Sequence, residues 1–228
     1  MRFQFTKTTG LSFGASLMAI AAVGIAPSAA SAQSNPDAEC ILTEDQATNT
    51  RANAQATGTD ALACGGDATA TGTGATATGS GAVANGNGAS AFGNQANSSG
   101  TSTTAVGALS VANGTAATAF GWQSNATGER AHALGHIASA QGERSLAVGE
   151  AAQAQTAFST AIGNQAVANG VDALAVGDNA RSTGTSTTAV GGESVANGTA
   201  ATAFGWQSNA TGERAHAVGH LASAQGER

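Results

Sequence analysis

The chain has 228 residues, a formal net charge of −6 and no tyrosine, and it carries 8 basic residues against 14 acidic ones. That balance excludes a basic groove for nucleic acid. The two cysteines have no histidine near them and make no zinc site.

Residues 1–32 read as a secretory signal peptide. Arg2 and Lys7 form a basic start, Leu11 to Ala26 is apolar, and Ala30-Ser31-Ala32 offers a small-x-small cleavage site before Gln33. The apolar stretch is broken by Gly14, Ser16 and Gly24 and falls short of the ~20 residues that a membrane span needs. Export across the inner membrane is expected. From Gln33 on, 6 arginines face 14 acids, a net charge of −8.

Residues 33–57 are expected to form a lead-in or cap. From Gly58 to Gln225 the chain then runs through twelve turns of 14 residues without insertion or deletion, and Gly226-Glu227-Arg228 opens a thirteenth. Numbered within each turn, position 6 is always alanine (Ala63 to Ala217) and position 8 always glycine (Gly65 to Gly219); position 1 is glycine except at Thr156. Ala54 and Ala56 fit positions 11 and 13 of one degenerate earlier turn. Strict registry of this kind specifies a solenoid, with 58–228 as its body.

Within each turn, positions 4 to 8 alternate as a short strand, as in Ser145-Leu146-Ala147-Val148-Gly149. Positions 4 and 6 hold only Ala, Ser or Thr, so that face is small. A second alternating stretch covers positions 11 to 14, again with Ala or Ser at 11 and 13, as in Ala138 and Ala140. The glycines at 1 and 8 fall between the strands, where tight reversals with positive φ are expected. The fold class is therefore all-β: a thin parallel β-roll with two short strands per turn.

Position 7 faces away from that small interior. Beyond Cys64 and Thr78 it reads Phe92, Val106, Phe120, Leu134, Val148, Ile162, Val176, Val190, Phe204 and Val218. In water this column would be a continuous apolar stripe, larger than a monomer ordinarily exposes. Burying each such side chain is worth roughly 1.5–3 kcal/mol, whereas the Ala/Ser interior gains little more than ~0.8 kcal/mol per methyl. An oligomer that buries position 7 is expected; the columns alone do not separate two-fold from three-fold symmetry.

The turns Ser145-Leu146-Ala147-Val148-Gly149, Ser159-Thr160-Ala161-Ile162-Gly163 and Ala89-Ser90-Ala91-Phe92-Gly93 resemble the SVAIG motif of YadA-like heads in trimeric autotransporter adhesins, and the likeness covers about three quarters of the chain. The resemblance implies a left-handed parallel β-roll and a homotrimer with position 7, and partly position 5, toward its axis. It implies attachment to matrix protein, host cells or abiotic surfaces from the bacterial surface, with outer-membrane anchoring in a full-length protein. Such adhesins also carry a coiled-coil stalk and a β-barrel anchor. This sequence shows neither and stops mid-turn at Arg228, the pattern of a fragment or a truncated product.

Residues 100–144 recur at 184–228, six turns on, with four differences: Ala108/Gly192, Leu109/Glu193, Leu134/Val218 and Ile137/Leu221. A duplication of whole turns leaves that trace.

Cys40 and Cys64 either bridge, pinning a cap over the open end of the roll, or stay as two thiols. His132 and His136, repeated as His216 and His220, flank Gly135 and Gly219, so helical metal-ligand geometry does not apply; no metal and no cofactor is expected. Glu129-Arg130 and Glu143-Arg144 read as solvated pairs formed across turns. Trp122 and Trp206 fall at position 9, one turn before His136 and His220. Each Trp is expected to stack on its His and is a candidate surface contact, with plain packing as the alternative. No catalytic arrangement stands out from the repeat, so an enzyme is not expected. An ice-binding β-solenoid is the competing function, suggested by Thr69-Ala70-Thr71 and Thr101-Ser102-Thr103-Thr104.

Overall fold

The structure, a computed structural model, describes the backbone of residues 39–40 and residues 53–226. The predicted signal peptide and the rest of the lead-in lie outside the described residues. Among the described residues every strand belongs to one of two 13-stranded parallel sheets, and no helix occurs. Strands β1 (Glu39–Cys40) and β3 (Leu62–Cys64) open the first sheet, and β2 (Gln55–Ala56) and β4 (Thr69–Ala70) the second. The alternation continues turn by turn to β25 (His216–Val218) and β26 (Ser223–Ala224).

Each strand pairs with the same positions one turn away, as in Ala119 opposite Ala105 and Ala133. The ladder bonds are regular: the Leu62 N–H donates to Ala75 O at 2.8 Å, and the Gly79 N–H to Cys64 O at 2.7 Å. A 14-residue beat without slippage follows, because one inserted residue would turn alanine outward and the larger side chain inward.

The interior between the sheets is made of the small columns. Ala63, Ala77, Ala91, Ala105 and Ala119 at position 6 are fully buried, as are Ala70, Ala84 and Ala112 at position 13. Buried hydroxyls are satisfied locally. Ser110 Oγ donates to Gly107 O at 2.8 Å and Ser145 Oγ to Gly142 O at 2.7 Å, while Ser98 and Thr103 share a 2.7 Å bond that recurs six turns on between Ser182 and Thr187 at 2.6 Å. These bonds remove the desolvation penalty that would otherwise bar a hydroxyl from so thin a core.

Both bends of a turn close alike, by bonds such as Ala75 N–H to Gly72 O and Ala82 N–H to Gly79 O, each 3.1 Å. The two glycine columns serve different ends. Position 8 has φ between +124° and +139°, as expected. Position 1 does not have positive φ: its glycine is required because a Cβ on Gly86 would fall 1.8 Å from Gly100 O in the next turn. Thr156, the exception, donates its hydroxyl to Gly170 O at 2.7 Å. The neighbouring inter-turn bond, Asp172 N–H to Ala157 O, lengthens to 3.1 Å, against 2.8 Å for Phe158 N–H to Glu143 O one turn earlier.

Left-handed backbone instead sits at positions 3 and 10, in residues as varied as Asp60, Leu109, Arg130, Ile137 and Phe158, with φ from +50° to +59°. It is the third place of each four-residue bend, where a type II geometry demands positive φ. The strain is about 1–2 kcal/mol for an L residue. It is offset where the N–H reaches the preceding turn, as Arg144 N–H does to Glu129 O at 2.7 Å.

Candidate binding surface

With the interior closed, everything chemically distinctive lies on the outer faces and bends. The outer face of the first sheet carries position 7. Phe92, Phe120, Leu134, Ile162, Phe204 and Val218 are exposed, from 36% for Leu134 to 70% for Val218; Val106, Val148, Val176 and Val190 are half-buried by their neighbours. Direct register places them side by side, Phe120 against Val106 and Leu134, Val148 against Ile162. The expected stripe is therefore present on this chain, and Leu62 at position 5 adds to it, 43% exposed.

At the bend after this sheet, Trp122 stacks on His136 with centroids 4.8 Å apart and planes 13° from parallel, and Trp206 on His220 at 4.9 Å and 12°. Both contacts follow the spacing read from the sequence. His136 Nδ1 also lies 3.5 Å from Glu150 Oε1, extending the column by one more turn.

The charged pairs depart from expectation. Glu129–Arg130, Glu143–Arg144 and Glu213–Arg214 meet at 3.1, 3.3 and 3.4 Å as sequence neighbours within one turn, not across turns. The left-handed arginine at position 3 folds its side chain back along its own bend. All six side chains are about half exposed or more, so each pair contributes ~0–1 kcal/mol. Sequence reasoning missed the guanidinium of Arg144, 5.5 Å over the exposed Phe158 ring; two bulky residues at position 3 of successive turns were the available signal.

The second sheet is different outside. Position 12 runs Thr69, Val83, Asn97, Val111, Asn125, Ser139, without the paired threonine columns an ice face needs. Position 14 builds a polar ladder, in which Thr71 Oγ1 donates to Asn85 Oδ1 at 3.0 Å and Ser99 Oγ to Asn113 Oδ1 at 2.6 Å. At the N-terminal end, β1 pairs with β3 so that Cys40 stands opposite Cys64, and Cys64 is disulfide-bonded. Among the described residues no group of three or more His, Cys, Asp or Glu could hold a metal ion.

The profile of the YadA head domain repeat matches residues 56–82, 84–110, 112–136, 140–166, 157–180, 168–194, 182–208 and 196–222, well over half of the chain. The chain belongs to the YadA head repeat family. Membership in this family supports an adhesin-type role, and YadA-like heads are in general not enzymes. Among solved structures the chain is similar to the collagen-binding domain of Yersinia adhesin YadA, with 22% identity, 79% of each chain covered and a TM-score of 0.33. No curated protein sequence matches it.

Proposed function

We propose that the protein is the head of a surface-displayed adhesin, a left-handed roll assembled as a homotrimer whose seam is the position-7 column. The exposed stripe from Phe92 to Val218 carries this reading, because an aqueous monomer has no use for it. A signal peptide over residues 1–32 delivers the chain to the envelope and the cell surface, at the outer membrane if a full-length protein has a C-terminal anchor. A bridge between Cys40 and Cys64 pins the lead-in onto the first sheet. Matrix protein, a host cell or an abiotic surface is the target class.

Contact is made at the tryptophan bends. Trp122 and Trp206 are 44% and 46% exposed, and large rings are over-represented among binding hot spots. Replacing both by alanine is expected to weaken adhesion of the head to matrix-coated and plastic surfaces while its melting temperature stays nearly unchanged. A large loss of stability with adhesion per folded molecule preserved would make the tryptophans structural and end this part of the reading.

A further inference from the structure

The two copies of the tryptophan bend are not chemically equivalent. Residues 100–144 and 184–228 differ at four positions, and three of the four lie at positions 9 and 10 of the bends one turn before and after the tryptophans: Ala108/Gly192, Leu109/Glu193 and Ile137/Leu221. Positions 9 and 10 supply only six of the 45 residues in a block. The core, both ladders and the Trp–His stack are kept; apart from Leu134/Val218 in the position-7 column, the divergence falls in the bends beside each ring.

The rim residues are also costly where they stand. Leu109, Ile137 and Leu221 have φ of +59°, +50° and +57° and are 37%, 39% and 58% exposed. A β-branched residue in the left-handed region is a genuine outlier. Neither burial nor backbone preference explains an aliphatic side chain there, since the same backbone elsewhere carries Gln95, Gln123, Gln165 or Asn179. In the second copy, Glu193 Oε2 accepts a 2.7 Å bond from Gln207 Nε2 and is exposed, so a carboxylate stands where the first copy has Leu109.

Resting on the tryptophan bends as contact sites, we infer that the duplication has produced two docking sites of different specificity for one extended polypeptide partner. The first, rimmed by Leu109 and Ile137, takes an aliphatic side chain; the second, rimmed by Glu193, takes a lysine or arginine. A polypeptide is favoured over a glycan because one face of each ring is already covered by a histidine. His220 covers one face of Trp206, and Gly192 packs so close that a methyl there would stand 3.2 Å from Trp206 Cδ1, which leaves ring edges and rim side chains for recognition. Six turns separate the sites, about 29 Å at the spacing of neighbouring strands, or roughly nine extended residues. A partner carrying the two side chains at that separation engages both sites at once.

The test uses the whole mature chain and immobilised Gly/Ser peptides that carry either leucines or arginines. Trp206→Ala leaves only the first site and Trp122→Ala only the second, and the two variants have equal net charge. The first is expected to prefer the leucine peptide and the second the arginine peptide, each by about fivefold, the scale of one exposed contact. Leu109→Glu combined with Glu193→Leu, also charge-neutral overall, should exchange the two preferences when each tryptophan is removed in turn. If the tryptophan variants lose binding but the exchange leaves preferences unchanged, the contact reading stands and the assignment of specificity falls. If no variant alters capture, both fall. A change in sedimentation on exchange would show that the bends pack against another copy of the chain, and would overturn the proposal.

Discussion

The two sheets share a core, a register and a hydrogen-bond ladder, yet their outer faces are opposites. Six position-7 residues of the first sheet are exposed large hydrophobics, whereas none of the exposed large hydrophobics belongs to position 12 or 14 of the second. The second face carries hydroxyl and amide ladders such as Thr71–Asn85, with Asn125 Oδ1 and Asn209 Oδ1 left unpaired. Since the backbone is the same, the difference cannot be a requirement of the fold. It marks the face for which water is the wrong neighbour.

Charge placed on each face separates them most sharply. Val148→Asp with Ile162→Asp puts two carboxylates on paired strands of the apolar stripe and is expected to dissociate the proposed trimer and unfold the roll, read by sedimentation and circular dichroism. The stripe supplies roughly 1.5–3 kcal/mol per side chain, more than the alanine interior can replace. Val167→Asp with Val195→Asp, on the polar face, should change stability by no more than about 1 kcal/mol and leave the trimer intact.

A smaller asymmetry lies at the N-terminal end, where Cys64 is disulfide-bonded in the first sheet only. Cys64→Ser is expected to lower stability by ~3 kcal/mol in the loop-entropy model. Hydrogen exchange should then show fraying that starts at β1 and β3 and fades within a few turns, since each turn contacts only its neighbours.

Much of this was legible because the repeat reports burial directly. Alanine at position 6 in every turn defines the interior, and its alternation with Val148 or Ile162 defines the outside. The Trp–His stacks followed from equal positions in successive turns. The bends were less readable. Left-handed φ at positions 3 and 10 is imposed by the bonds that close each bend, not by residue type, so Arg130, Phe158 and Leu109 gave no signal of it. The same geometry turns Arg130 toward Glu129 within its own turn, where stacking alone suggested pairs between turns. Glycine at position 1 answers the approach of the next turn's carbonyl and not a conformational need, which only three-dimensional stacking reveals.

The central claim is that the position-7 stripe is buried between three copies of the chain. Sedimentation equilibrium of the mature protein, with circular dichroism on the same sample, tests it most directly. The expected result is a single species of three chains with β-structure that persists on dilution until both signals are lost together. A folded, monodisperse monomer would contradict it.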